Sequence, residues 1–111
     1  MKVAVSSKGK DLESEVSEVF GRCPFFIIAE INDKIENFEA FENKSANQVG
    51  GAGVTASQFV AEKDVKAVIT GNIGPRALDI FRQFKIEVFK GSGQVKEVLQ
   101  NFLENKLEKV E

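Results

Sequence analysis

Two glycine-rich loops are the parts of this sequence whose residue types and spacing point most directly to a binding site. The loop Gly50–Gly53 (GGAG) precedes an amphipathic segment over Val54–Lys63, and the loop Gly71–Pro75 (GNIGP) precedes another over Arg76–Phe84. The first N–H groups of a helix have no acceptor within the helix, and the helix dipole adds partial positive charge there. Two such helix starts on small residues predict a binding site for an anion or a negatively charged cluster, and they favour binding over catalysis.

Each loop also has a purely structural explanation. Gly50–Gly53 fits a flexible loop, and Gly71–Gly74 fits a tight turn with Pro75 at the first helical position, where its missing N–H costs nothing. Neither loop is followed by the lysine and hydroxyl of a P-loop, and the first lacks the third glycine of a dinucleotide fingerprint. Nucleotide binding is therefore a weaker interpretation than binding of a compact anionic cluster.

The side chains that the chain lacks exclude several classes of enzyme. The sequence contains no histidine and one cysteine, Cys23. Catalytic triads, Cys-His dyads, zinc sites with histidine ligands and imidazole acid-base catalysis are excluded, as are CxxC redox and zinc sites. An enzyme would be left with carboxylate, lysine, hydroxyl or lone-thiol chemistry.

Cys23 has two interpretations. Its thiolate could ligate iron, and the neighbouring Arg22 could lower the pKa of the thiol. Alternatively, Cys23 is a small buried hydrophobe that enters the apolar segment Phe25–Ile28, because free cysteines are among the most buried residue types. One cysteine cannot hold a cluster that usually takes four thiolates, so stable binding would need a dimer, exogenous ligands or a cofactor complete apart from one site.

Two arginines lie beside the glycine loops. Arg22 could pair with the negative charge of a cluster through its planar guanidinium, or it could bridge to Glu18 or Glu30 and fix its own loop. Arg76 lies just inside a predicted helix start, where its charge opposes the helix dipole. An anionic ligand would remove that penalty.

Composition and charge set the class of protein. At 111 residues and 42% hydrophobic composition, the chain predicts one domain over residues 1–111 with a continuous core. The net charge of −2 combines 15 basic and 17 acidic residues without a basic stripe, so nucleic acid is a poor candidate partner. The sequence has no signal-peptide pattern and no transmembrane-length apolar stretch, and the lone cysteine fits a reducing compartment. A cytoplasmic protein with no membrane partner is expected.

Hydrophobic periodicity and turn signals predict five strands and three or four helices. Asp11–Phe20 has helical spacing of apolar residues, but its serines and glutamates leave a loose loop as the alternative. The final helix has Ser92 near its N-cap, and the charged tail Glu104–Glu111 is expected to continue it as a fraying end. The other predicted elements are strands Lys2–Ser6, Phe25–Ile31, Ile35–Glu42, Lys66–Thr70 and Ile86–Phe89, and helices Val54–Lys63, Pro75–Phe84 and Gln94 to roughly Leu107.

The resulting order is β(α)ββαβαβα. A hairpin around Asn32–Lys34, followed by alternating helices and strands, predicts an α/β fold with a mixed five-stranded sheet and helices on both faces. Ligands in open sheets of this kind bind where parallel strands end, and the loops after Ser6 and Thr70 leave such ends. Most of the phenylalanines, including Phe84, fall on apolar faces and are expected in the core.

Three motifs resemble a known family. The segment Phe20–Phe26 (FGRCPFF), the glycines Gly50–Gly53 at the middle helix and the segment Gly71–Ala77 (GNIGPRA) are similar to those of the dinitrogenase iron-molybdenum cofactor biosynthesis family. This family comprises NifX-like carrier proteins and the C-terminal domain of NifB-like proteins. The resemblance spans nearly the whole chain, with the three motifs in the family's order.

The resemblance implies a ribonuclease-H-like βαβ arrangement with no catalysis of its own. It also implies cargo, an iron-sulfur or iron-molybdenum cofactor precursor, and partners, the proteins of metallocluster assembly, for a chain that is a monomer or homodimer. Imidazole ligation is excluded here, because the histidine that cofactor-carrying members place near the glycine loop is absent. The residues carried over to the binding site are Gly21, Arg22, Cys23, Gly50, Gly51, Gly53, Gly71, Asn72, Gly74 and Arg76, with Cys23 as the metal ligand.

Two other function classes compete with a carrier. A protein-interaction module without bound metal would use the same loops without chemistry. A metal-dependent hydrolase on a ribonuclease-H-like scaffold would need carboxylates clustered around two metal ions, one of them on the first strand. Lys2–Ser6 carries no acid, and Asp64 and Asp79 are predicted far from its end. The carrier is therefore the favoured interpretation.

Overall fold

The computed structural model describes residues 1–111 and contains six strands and three helices. The order is βββαβαβαβ. The predicted bounds of the strands Phe25–Ile31 and Ile35–Glu42 are confirmed, and those of most other elements differ by one or two residues at an end. The elements are β1 (Lys2–Ser7), β2 (Phe25–Ile31), β3 (Ile35–Glu42), α1 (Ala52–Ala61), β4 (Ala67–Thr70), α2 (Pro75–Gln83), β5 (Glu87–Lys90), α3 (Val95–Leu103) and β6 (Glu108–Lys109).

The sheet is mixed, as predicted, with the strand order β3-β2-β1-β4-β5-β6. β1 pairs antiparallel with β2 and parallel with β4, and β4 pairs parallel with β5. The carboxyl ends of the three parallel strands therefore lie at one edge of the sheet, where the loops to α1 and α2 also gather. The ribonuclease-H-like classification of this arrangement stays a prediction.

Helices cover both faces of the sheet. α1 and α2 pack on one face, where Ala56, Val60 and Phe81 meet the inward side chains of β2 and β4. α3 packs on the other face through Val98 and Leu99. The central strand β1 is buried on both sides, because alternate residues of a strand point to opposite faces and both faces are covered.

The segment Asp11–Phe20 forms no helix, so the helical interpretation was wrong and the loop alternative is confirmed. Polar side chains compete for the backbone here: the amide of Glu13 donates to Asp11 Oδ1 at 3.1 Å, and Ser14 Oγ donates to the same oxygen at 3.0 Å. Isolated bridges, among them Val19 with Asn72, attach the segment to the rest of the chain. It therefore follows the ends of the strands and reaches the glycine loops.

The charged tail does not continue α3 but contains the two-residue strand β6, so the sheet has six strands where five were predicted. α3 ends at Leu103, Asn105 adopts φ 57°, and the chain returns as β6 along the outer edge of β5. The amide of Val110 donates to the carbonyl of Val88 at 2.8 Å. The unpaired edge of β5 supplied a partner for β6 that the periodicity of the tail does not reveal.

Two single residues lie at helix ends. The N-cap of α3 is Gln94, two positions after Ser92, and the amide of Gln94 donates to Glu97 Oε1 at 2.9 Å. Phe84, expected in the core, is 59% exposed because it follows the last turn of α2. None of the three helices combines the length and apolar character needed to cross a bilayer.

Candidate functional site

A cavity of about 400 Å³ opens between the starts of α1 and α2. Three chain segments form its walls: Val19–Arg22, Gly51–Val54 at the start of α1, and Gly74–Ala77 at the start of α2. Two arginines, Arg22 and Arg76, line the cavity, and none of its lining residues is acidic. In a chain of net charge −2, this is a local concentration of positive charge.

The backbone of both helix starts adds donors to this cavity. Neither α1 nor α2 has a side-chain cap, and their first i to i−4 hydrogen bonds run from Thr55 to Gly51 at 3.0 Å and from Leu78 to Gly74 at 3.1 Å. The amides that precede Thr55 and Leu78 in each helix therefore have no acceptor within their helix. α3 differs, because Glu97 bonds the backbone at its start. The first turns of α1 and α2 thus offer free amides that can bind an anion.

Close backbone contacts explain two of the glycines. A Cβ atom on Gly21 would lie 2.8 Å from the N and Cα atoms of Gly53, so two walls of the cavity touch through their main chains. A Cβ atom on Gly71 would lie 2.7 Å from Cα of Glu18. Gly51, by contrast, is required by conformation, since it precedes α1 with φ 72°.

Arg22 binds the neighbouring loop and not a carboxylate. Its Nη1 atom donates to the carbonyls of Ala46 at 3.1 Å and Gln48 at 2.5 Å. The alternative that it bridges Glu18 or Glu30 is wrong, and the carboxylate of Glu30 instead pairs with the N-terminal ammonium at 2.9 Å. Only one nitrogen of the Arg22 guanidinium is used, so its other donors are available to a ligand.

Asn43 is a residue beside the cavity that the sequence analysis did not identify. The side chain is buried, and its Nδ2 atom donates to the carbonyls of Gly21 at 3.1 Å and Cys23 at 2.8 Å. Its Oδ1 atom accepts from the amide of Ser45 at 3.1 Å and from Ser45 Oγ at 2.6 Å. The Asn-x-Ser spacing is typical of a side-chain turn, a signal in the sequence that could have been followed.

Cys23 lies in the core and not on the cavity. Its exposed fraction is 0%, and burial raises the pKa of its thiol to about 12. The thiol is therefore neutral at physiological pH, whereas a metal ligand must be a thiolate. Iron ligation by Cys23 stays a prediction, and it requires the residue to leave the core.

The raised pKa of Cys23 predicts a pH dependence of stability. Between about pH 9 and pH 12 the native thiol keeps its proton while the unfolded thiol loses it, so the free energy of unfolding falls as pH rises. In this pH range the free energy of unfolding should fall more steeply with pH in the wild type than in Cys23→Ala, by up to about 1.4 kcal/mol per pH unit. Urea unfolding of both proteins at several pH values measures this, and parallel pH profiles would contradict the burial of the thiol.

The structure brings together six of the ten residues predicted for the site: Gly21, Arg22, Gly51, Gly53, Gly74 and Arg76 all line the cavity. Gly50 lies next to this set in the loop before α1, with φ 90°. Gly71 and Asn72 line a separate cavity with Thr70 and Lys90. Cys23 lines neither cavity, and its exposed fraction is 0%.

The donor set of the cavity suits outer-sphere contacts. No three histidine, cysteine, aspartate or glutamate side chains lie close enough together to hold a metal ion. The cavity offers backbone amides and guanidinium groups, which are hydrogen-bond donors. These residues fit an anion or a pre-assembled anionic cluster, and they do not fit a cluster that the protein must ligate through several side chains.

Comparison with known proteins agrees with the three motifs. The profile described as "Dinitrogenase iron-molybdenum cofactor" matches residues 1–105. The chain belongs to this family. An uncharacterized protein of Methanocaldococcus jannaschii is similar to it, with 42% identity over 100 residues that cover 88% of this chain and 85% of the relative.

Several solved structures are also similar to this chain. The apo form of the orange protein from Desulfovibrio gigas superposes with a TM-score of 0.91 at 26% identity, covering 98% of this chain and 92% of that chain. A Thermotoga protein, provisionally named a NifB protein, superposes with a TM-score of 0.82 at 34% identity, covering 97% and 91%. The family associates this chain with the iron-molybdenum cofactor of dinitrogenase.

Proposed function

We propose that this protein is a non-catalytic carrier of an iron-sulfur or iron-molybdenum cofactor precursor, and that residues 1–111 form one nitrogenase-accessory-factor-like domain. The observation that carries the proposal is the cavity between two uncapped helix starts, lined by Arg22 and Arg76 and by no acid. Metallocluster precursors carry negative charge on sulfide or oxo groups, which backbone amides and guanidinium groups can bind. Family membership supports the class of cargo.

The proposed binding mode is outer-sphere and does not use Cys23. Guanidinium donors form charge-assisted hydrogen bonds, and the unpaired amides at the starts of α1 and α2 lie around the same space. A cofactor held this way can leave without breaking bonds between metal and protein. That property suits a carrier.

Anaerobic reconstitution with iron, sulfide and molybdate tests the proposal. Wild-type protein should acquire a charge-transfer absorbance that remains with the protein through gel filtration. Arg76→Gln should weaken retention about tenfold, because a hydrogen bond to a charged group contributes about 1.5 kcal/mol or more. Arg76 is exposed and lines the cavity, and it forms none of the ion pairs found in the protein.

Arg82→Gln is the matched control on the same helix. Arg82 is also exposed, but it pairs with Asp79 at 3.7 Å and lies outside the cavity. Retention should be unchanged in Arg82→Gln and in Cys23→Ala. A colourless wild-type protein would overturn the carrier function, and loss of absorbance in Cys23→Ala would favour direct ligation over the outer-sphere mode.

We further propose that assembly partners contact the rim of the cavity. Val19, which lines the cavity, is 51% exposed, and Val49, two positions before the lining residue Gly51, is 99% exposed. Two hydrogen bonds hold the loop that carries Val49. Arg22 donates to the carbonyl of Gln48, and Gln48 Nε2 donates to the carbonyl of Gly50 at 2.9 Å. An apolar side chain displayed on a tethered loop next to the cargo is suited to recognition by a protein that delivers or receives it.

A further inference from the structure

We propose that Asn43 is a positioning residue of the cavity, whose carboxamide fixes the turn Gly21–Cys23 and thereby the placement of Arg22. Asn43 does not line the cavity itself. Its effect on cargo rests on the proposed function, whereas its effect on the turn does not.

The contacts of Asn43 flank Arg22 on both sides. The two Nδ2 protons are donated to the carbonyls of Gly21 and Cys23, at 3.1 and 2.8 Å, and these are the residues before and after Arg22. All peptide bonds of the chain are trans, so the N–H of Arg22 points in the direction opposite to the Gly21 carbonyl. The buried side-chain amide of Asn43 thus orients both carbonyls toward itself and the N–H of Arg22 away from itself.

The same carboxamide links this turn to the start of α1. Its oxygen accepts from Ser45 Oγ at 2.6 Å, and Ser45 Oγ lies 3.4 Å from the carbonyl oxygen of Ala52, the first residue of α1. Arg22 in turn donates to the carbonyls of Ala46 and Gln48. The turn Gly21–Cys23 and the loop that follows Asn43 therefore each bind the main chain of the other through a side chain.

Among side chains of this size, only asparagine supplies both the two N–H donors and the oxygen acceptor that these contacts use. Asn43 is 6% exposed, and the chain has no buried side-chain polar atom without a partner. Aspartate would keep the acceptor for Ser45 but would lose both donors and place negative charge against two carbonyl oxygens. An apolar residue would leave the carbonyls of Gly21 and Cys23 and the amide of Ser45 without their partner.

The test compares Asn43→Asp with Val98→Ala, a core change beneath α3 on the opposite face of the sheet. In the ligand-free proteins, ¹⁵N–¹H spectra should show amide shifts at Gly21, Arg22 and Gly53 in Asn43→Asp and not in Val98→Ala. After reconstitution with iron, sulfide and molybdate, Asn43→Asp should retain the product about tenfold less tightly, the effect of losing one charge-assisted hydrogen bond from Arg22. Val98→Ala should retain it as the wild type does.

Ser45→Ala provides a second variant that keeps both amide donors and should give smaller changes at the same amides. Unshifted amides of Gly21 and Arg22 in both Asn43→Asp and Ser45→Ala would overturn the positioning role, as would equal loss of retention in Val98→Ala. If wild-type protein retains nothing, the carrier function is overturned, and the amide shifts alone decide the role of Asn43.

Discussion

Gly21→Ala is expected to lower the free energy of unfolding by about 1–3 kcal/mol and to weaken retention of the proposed cargo at the same time. The added methyl would lie 2.8 Å from the backbone N and Cα atoms of Gly53. Main-chain atoms cannot rotate out of the way as the end of a flexible side chain can. The turn Gly21–Cys23 must therefore move away from α1. That movement would displace Arg22 and widen the cavity.

Gly53→Ala is the control for this prediction, because it adds the same methyl to the other residue of the contact without placing it within 4 Å of Gly21. Its Cβ atom would lie 3.7 Å from Cβ of Ala77, an ordinary van der Waals distance, and alanine is favoured over glycine within a helix. Urea denaturation of both variants measures the difference. Equal stability of Gly21→Ala and wild type would show that the two walls are not in contact.

Phe81→Ala is expected to lower the free energy of unfolding by about 3–5 kcal/mol, a large fraction of the stability of a typical domain. Phe81 is fully buried, and its ring meets that of Phe20 edge-on at a centroid distance of 5.3 Å. Phe20 lines the cavity next to Gly21. The pair therefore anchors both α2 and the segment Val19–Arg22 to the core.

Phe84→Ala removes the same ring three residues later and is expected to change stability by less than about 1 kcal/mol. Phe84 is 59% exposed, so little of its apolar surface is withdrawn from water on folding. Chemical denaturation midpoints of the two variants test the contrast. Similar losses at Phe81 and Phe84 would be inconsistent with the burial of the one and the exposure of the other.

Local patterns in the sequence determined much of the fold. The hairpin strands β2 and β3 begin and end where apolar runs and the turn at Asn32–Lys34 place them. α2 begins at Pro75, as a proline after a glycine turn predicts. These features depend on neighbours within a few residues, so they can be identified before any tertiary contact is known.

Segments with weaker local preference were decided by distant partners. Asp11–Phe20 has helical spacing of apolar residues, but bonds from its own side chains to its backbone and bridges to other segments hold it as a loop. The tail forms β6 because β5 offers an unpaired edge. Neither partner can be identified from the periodicity of the segment itself.

The sequence by itself determined the family and the glycine loops, because these follow from residue types and short spacings. Only the tertiary structure decided that Cys23 faces the core, that Asn43 holds the turn beside Arg22, and that two helix starts share one cavity. Burial and hydrogen bonding join residues that are far apart along the chain: the bond from Asn43 to Gly21 spans 22 positions. A motif identifies the candidate groups, and packing determines which of them a ligand can reach.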